Sequence, residues 1–397
     1  MSLRSDAAAL HPDLVALRRV LHRTPEIGLD LPRTQQKVLH ALDGLGLEIT
    51  LGRDLSSVTA VLRGGEPGGA VLLRGDMDAL PVTEASGEEF SSEIDGAMHA
   101  CGHDLHTAGL VGAARLLAAR REHLRGDVVF MFQPGEEGCD GASYMIEEGV
   151  LAAAGRPVDA AYGLHVSSSR EAGMFTCRPG PLMAASDAVK VRVVGAGGHG
   201  SAPELSRDPI PAACEMVTAV QTRMTRGFSA FEPAVLTVGS FHAGTRRNVI
   251  PDEAVFEATV RSFDPEVRER IRRQVVRACE GIAAAHGVDV EITYDAEYPV
   301  TVNPRAGYEF AADTVREVFG EERFSLLPQP MTASEDFSRV LAKVPGAFVF
   351  LGASRSADPA TAANNHSPRA VFDDAVLADG ATLLAELACR QLTALAA

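Results

Sequence analysis

The chain has few cysteines and spaces them without pattern. Six in 397 residues (Cys101, Cys139, Cys177, Cys214, Cys279 and Cys389) form no disulfide framework. A chain this long needs no covalent staples, so reduced thiols are the reading. Cys214 and Cys279 fall in helical apolar patterns and read as core residues, whereas Cys101 lies among histidines. Positive charge is also short: 37 Lys and Arg stand against 53 Asp and Glu, a formal net charge of −16. The acidic residues are spread along the chain, and their field repels the phosphates of nucleic acid and anionic lipid, which excludes both as partners. Long apolar runs are missing as well. No segment reaches the roughly 18 apolar residues of a membrane span. The N-terminal stretch MSLRSDAAALHPDLVALRRVLHRTPE carries charge in every turn and lacks the apolar centre of a secretory signal, so a soluble, cytoplasmic protein is expected. What is present is enough apolar residue, 46% of the chain, to build one or two globular units.

Apolar periodicity predicts helices over 12–22, 33–44 and 103–121, and short buried strands at Ala70–Leu73, Asp127–Gln133, Ala160–His165 and Ala347–Leu351. Strands alternating with helices imply an α/β domain with a mainly parallel sheet covered on both faces. From about Ala185 the texture changes. Asp187–Val194 alternates strictly, 208–226 reads as a helix, and strands are expected at Ala234–Phe241, Ala254–Phe263 and Val288–Tyr298. Between the last two, Asp264 and Pro265 offer an N-cap and a first-turn proline, Val267, Ile271, Val275, Cys279 and Ile282 form one stripe, and Gly287 can close the helix. The order strand, helix, strand, strand, helix, strand is that of a ferredoxin-like α+β unit. It is placed at 183–295, inserted in a domain built from 1–182 and 296–397.

Acidic and imidazole side chains recur where predicted strands give way to loops, the place where open α/β sheets collect ligands. In MHACGHDLH, Cys101 and His103 flank a glycine that lets two metal donors converge; a cysteine beside a helix start with solvent-facing histidines is the plainer alternative. In FQPGEEG, Glu136 and Glu137 are adjacent, which is commonly surface decoration. Beside a metal the pair acquires a logic, because consecutive side chains of an extended segment point apart: one can ligate while the other faces a water. His165 in GLHV and His366 in NNHSP would alone be ordinary hydrogen-bonded residues.

The runs RGDMDALPV, MHACGHDLHTA, FQPGEEG, GLHV, GGHGSAP, RNVIPD, SEDFS and NNHSP span nearly the whole chain. In this order they resemble the N-acyl-amino-acid amidohydrolases, the hippurate hydrolase and auxin-conjugate hydrolase branch of the aminoacylase and carboxypeptidase metallopeptidases. The resemblance implies that Cys101, His103, Glu137, His165 and His366 hold two divalent metal ions, zinc or manganese with cobalt or nickel as further options, and that Glu136 is the catalytic carboxylate. Asp78 matches the acid that supports the metals from behind. Asp76 stands where peptidase branches have a histidine ligand and is not expected to ligate. By the same resemblance the zinc-peptidase-like domain carries an inserted lid that mediates a homodimer, or a tetramer. His199 matches a histidine that reaches the partner subunit's site and polarises the scissile carbonyl; Asn248 and Arg261 match positions that bind the substrate's carboxylate. His199 between glycines and Arg261 on an alternating strand also suit a mobile loop and a solvated charge. The implied reaction is hydrolysis of small N-acyl amino acids to a carboxylic acid and an amino acid, with Glu136 moving the proton of an activated water to the leaving nitrogen.

Three rivals stand beside this reading. A dipeptidase or carboxypeptidase would use the same metals, and the substrate's acyl group decides. A thiol hydrolase would use Cys101 as nucleophile, but leaves Glu136 and Glu137 without a purpose. A catalytically silent binding protein would have no need of Glu136 beside a full ligand set.

Overall fold

The computed structural model describes residues 2–396. The chain divides into two compact units, one made of Met1–Gly180, Val302–Gln329 and Asp336–Ala397, the other of Pro181–Thr301 and Pro330–Glu335.

The first unit is built on an eight-stranded sheet in the order Glu48–Leu51, Val58–Leu62, Arg125–Gln133, Glu66–Asp76, Ala160–Glu171, Gly346–Ser354, Phe175–Cys177, Phe324–Leu326. Its centre is parallel: Glu66–Asp76 pairs with Arg125–Gln133 and Ala160–Glu171, and Ala160–Glu171 with Gly346–Ser354. On one side the pairing turns antiparallel, Val58–Leu62 lying against Arg125–Gln133 and joined by a short hairpin connection to Glu48–Leu51; on the other, Phe175–Cys177 pairs antiparallel with Gly346–Ser354 and parallel with the edge strand Phe324–Leu326. The sheet is therefore mixed around a parallel core. The central strands are buried along most of their length, as their unbroken apolar runs require. The register sets Asp76 opposite Gln133 and Phe350 opposite His165, which brings acidic, amide and imidazole groups together towards the C-terminal ends of the parallel strands.

The first helix, Leu3–Arg23, starts nine residues before the expected 12, capped by the Ser2 hydroxyl and running through Pro12. Leu3, Ala7, Leu14 and Leu21 lie on one face and are all buried, so a stripe that spans the proline holds the helix together. The helix His103–Ala118 packs against it and against Leu377–Leu395. It buries Leu105, Leu110, Val111, Leu116 and Leu117. At about 1.5–3 kcal/mol for each large apolar side chain removed from water, this anchoring fixes the helix end that presents His103.

The second unit has a four-stranded antiparallel sheet, ordered Ala234–Ala243, Glu253–Ser262, Ala185–Val194, Asp289–Tyr298, with the helices Pro209–Arg226 and Pro265–His286 packed on it. Asp264 caps the second helix by accepting from the amides of Glu266 and Val267, and Gly287 closes it at φ +65°. Val267, Ile271, Val275 and Cys279 are buried and Ile282 is partly so. Cys214, expected in the core, is exposed instead: Ala212, Ala213, Met216 and Val220 take the inner face of its helix and turn Cys214 outward. All six cysteines are free. Among the described residues no helix is long and apolar enough to cross a membrane.

Candidate metal centre

The strand Arg125–Gln133 ends in a turn that the sequence reading took as extended. Gly135 adopts φ +73°, where a side chain is strained and a Cβ would come within 2.4 Å of Leu29 Cδ2. Behind it Glu136 opens a short helical turn, and Glu137 leaves it at φ −74°, ψ 77°. Asp78 imposes this shape. Its Oδ1 accepts the Glu136 amide at 3.0 Å and its Oδ2 the Glu137 amide at 2.9 Å. A buried carboxylate thus grips the backbone of both glutamates, and Asp78 has both oxygens committed.

Across from this turn, Gly102 sits at φ +84° with Val166 Cγ2 only 2.4 Å from where a Cβ would lie, so Cys101 and His103 can flank a point that no other residue could occupy unstrained. His103 is fully buried and donates Nδ1–H to the carbonyl of Asp78 at 2.9 Å. Its Nε2 is buried with no hydrogen-bond partner among the described residues; against that burial Asp76 and Asp78 raise the ring's pKa well above its ordinary value, so a cation bound at Nε2 displaces a proton there. His165 is arranged alike: Nδ1 donates to the Val166 carbonyl at 2.8 Å, and Nε2 lies 3.4 Å from Cys101 Sγ. Burial, with His106 next to it, keeps the His165 pKa well below its ordinary value, so its lone pair is available at neutral pH. His366 is held in the left-handed region at φ +71°, its amide donating to the Ala100 carbonyl at 2.9 Å, and its Nε2 is 3.1 Å from Glu137 Oε1. The Cys101 and Glu137 acceptors raise the His366 pKa to about 10, and Glu137 stays low against its burial because His366 and His103 face it. Both shifts describe a place where positive charge is favoured.

Ligand atoms of Cys101, His103 and His165 lie within 4.8 Å of one another, as do those of Cys101, Glu137 and His366, and those of His103, Glu136 and Glu137. Because Cys101 and His103 are each shared, the three sets join into one cluster. A thiol, imidazoles with their second nitrogens fixed, and carboxylates are the donors divalent transition metals take, and the orphaned His103 Nε2 is what such a cation would satisfy. A further set, Asp76 with His103 and His106, does not fit as well. Asp76 is already bound by Arg74 and by His106 Nδ1 at 2.5 Å, and His106 Nε2 accepts the Val166 amide at 2.8 Å.

Several residues around the cluster escaped the sequence reading. Asn365 donates to the carbonyls of Cys101 at 3.2 Å and Val166 at 3.0 Å while its Oδ1 accepts the Ser168 amide at 2.9 Å, tying the His366 loop to both neighbours. Asp336, quoted within SEDFS without a role, is fully buried and receives Arg74, Gln133 and the Ala142 amide. The signal for each was only its place in a quoted run: NNHSP for Asn365, FQPGEEG for Gln133 and SEDFS for Asp336.

His199, Asn248 and Arg261 belong to the second unit. His199 is exposed on the two-residue strand Gly198–His199, paired with Val249–Ile250, and its Nδ1 accepts the Ser201 amide at 3.1 Å. Asn248 lies beside it, its carbonyl taking the Gly200 amide at 3.0 Å. Arg261 donates to Thr259 Oγ1 at 2.6 Å and to the Val260 carbonyl at 2.9 Å.

An α/β sheet that gathers such donors at its strand ends defines a metal-dependent hydrolase. Residues 72–390 match the profile of Peptidase family M20/M25/M40, and the chain belongs to that family. Thermostable carboxypeptidase 2 of Saccharolobus solfataricus is 38% identical over 392 residues, covering 98% of both chains. Hippurate hydrolase of Campylobacter jejuni is 34% identical over 392 residues, 99% of this chain and 100% of that one. Among solved structures, the YXEP protein of Bacillus subtilis, a dinuclear metal binding peptidase of the M20 family, superposes with a TM-score of 0.82 at 33% identity over 97% of this chain and 99% of that one.

Proposed function

We propose that the chain hydrolyses the amide bond of N-acyl amino acids, with Cys101, His103, Glu137, His165 and His366 holding two divalent metal ions and Glu136 moving the proton. The observation that carries this is one joined donor cluster with a buried carboxylate, Glu136, whose Oε2 lies 4.0 Å from His103 Nε2. Ions so held would supply Lewis acidity to a water and to the scissile carbonyl. Glu136 takes a proton from water as the oxygen adds to the carbonyl carbon, and returns it to the nitrogen as the C–N bond breaks, giving a carboxylic acid and an amine. Asp78 holds the turn that carries both Glu136 and Glu137 beside His103, so that one can ligate while the other carries the proton. In the dimer, His199 reaches the site of the other subunit and donates to the developing oxyanion there, and Asn248 and Arg261 pair with the substrate's carboxylate. The thiol of Cys101 suits zinc, while the imidazoles and carboxylate also accept manganese, cobalt or nickel. Assembly as a homodimer through the inserted unit, or as a tetramer, and a cytoplasmic location complete the reading.

The hippurate hydrolase relative supports the acyl substrate, and the carboxypeptidase relative supports a peptidase with the same centre. Measuring kcat/KM for hippurate and N-acetyl amino acids against free dipeptides separates them. Preference for the N-acyl substrates is expected; preference for dipeptides would transfer the assignment to the peptidase.

A further inference from the structure

Behind the metal cluster lies a second group of charges that the reaction does not use. His22, on the first helix, is 2% exposed and has a carboxylate at each ring nitrogen: Asp104 Oδ2 at 2.8 Å from Nδ1 and Glu84 Oε1 at 3.2 Å from Nε2. An imidazole between two carboxylates donates from both nitrogens, as only the cation can. Burial works against that charge, yet Asp104 and Glu84 hold the pKa at about 9. The other groups facing the ring are Arg18, which also binds Asp104 at 2.7 Å, His99 with ring centroids 6.2 Å apart, and Phe90, edge-on at 5.4 Å.

Each carboxylate leads to a different side of the metal cluster. Asp104 adjoins His103 in the first turn of its helix. Glu84 adjoins Ala85, whose amide donates to the Pro368 carbonyl at 2.7 Å, two residues beyond His366. The Glu84 segment is further clamped to the first helix: Ser92 donates its amide to Glu84 at 2.6 Å, and Phe90 lies under the guanidinium groups of Arg18 and Arg19, each 4.6 Å from its ring centre. A buried ion network is no more stabilising than well-packed apolar groups in its place, although removing one member leaves a buried charge unpaired, so what the network adds beyond stability is placement.

We propose that His22 is a positioning residue that couples the two sides of the metal cluster, fixing His103 through Asp104 and the His366 loop through Glu84 and Ala85. The proposal rests on the metal-centre reading above. Its consequence is that loss of His22 weakens metal binding and loosens the Ala85 and His366 amides while the chemistry of the loaded enzyme is kept.

The test uses the full chain, stripped of metal, as wild type, His22→Gln and Glu84→Gln. Each is titrated with zinc against a chromophoric chelator, melted without metal, and followed by hydrogen exchange at the Ala85 and His366 amides. Both variants are expected to bind at least one zinc about 10- to 100-fold more weakly, to exchange both amides faster, to melt lower without metal because a buried charge loses its partner, and to keep kcat at saturating metal near that of wild type. Wild-type zinc affinity and wild-type exchange in both variants would overturn the proposal. Should His22→Gln fail to fold, Glu84→Gln, which leaves Arg18, Asp104 and His22 in place, decides alone by the same criteria. Wild type binding two zinc ions beside unaffected variants refutes the role of His22 only; wild type binding none removes the metal-centre reading as well.

Discussion

Asp78→Asn removes one charge from the centre while keeping its shape, and its effect can be worked out from two hydrogen bonds. The carboxylate accepts the Glu136 amide at 3.0 Å and the Glu137 amide at 2.9 Å. An amide side chain has one acceptor oxygen, so one bond is lost and an NH2 is left facing a backbone N–H. A hydrogen bond to a charged group contributes about 1.5–3 kcal/mol. At about 1.4 kcal/mol for each factor of ten, the loss amounts to roughly 10- to 100-fold in whatever the turn controls. What it controls is the placement of Glu136 and Glu137 beside His103, hence both metal affinity and the proton acceptor. Chelator-competition titration of the variant should show weakened zinc binding by that factor, with kcat/KM falling at least as far. Asp78→Ala, which loses both bonds, should be worse still. Wild-type zinc affinity in Asp78→Asn would refute the idea that Asp78 holds the turn.

Gly102→Ala places a Cβ 2.4 Å from Val166 Cγ2 at φ +84°. Left-handed strain and overpacking together should cost about 2–4 kcal/mol, seen as a lower urea midpoint with an unchanged slope; an unshifted midpoint would contradict it. Glu136→Gln should keep its full metal content and lose roughly 10²- to 10⁴-fold in kcat, and undiminished turnover would exclude Glu136 as the proton carrier. The His22 pair also sets a pH window. Its folded pKa of about 9 lies above the ordinary 6.5, so its stabilisation is complete below 6.5 and is lost as pH rises through 9. Glu84, held at about 2 against its burial by His22, Ser86 and Ser92, contributes above 4.5 and loses its contribution as pH falls through 2. Denaturation of the metal-free protein should therefore show the gap between wild type and His22→Gln greatest between pH 4.5 and 6.5 and narrowing by pH 9.5, and a gap independent of pH would count against a charged His22.

The periodic segments of the chain were legible because local pattern decides them. Asp264, Pro265, the stripe from Val267 to Cys279 and Gly287 gave a helix whose cap, face and end all appear in the structure. The donors in MHACGHDLH, FQPGEEG, GLHV and NNHSP were visible as motifs because few other uses crowd histidines and carboxylates at strand ends. What stayed hidden depends on partners far off in the chain. The Glu136–Glu137 turn looked extended because the acceptor that bends it, Asp78, lies 58 residues upstream. Asn365 reaches Cys101 across 264 positions and Gln133 reaches Asp336 across 203, and no local spacing announces either. Cys214 was misplaced for a smaller reason: on an amphipathic helix a shift of one position exchanges the inner face for the outer. The first helix was expected only from residue 12, whereas its buried stripe runs back across Pro12 to Leu3.

The central claim is that Cys101, His103, Glu137, His165 and His366 hold two metal ions on which amide hydrolysis depends. Elemental analysis of the purified protein, before and after exhaustive chelation and after metal is restored, combined with hippurate hydrolysis at each stage, tests it most directly. About two divalent ions per chain are expected, with activity lost on their removal and recovered on their return. Turnover that survives complete removal of metal would contradict it and move the chemistry to the Cys101 thiol.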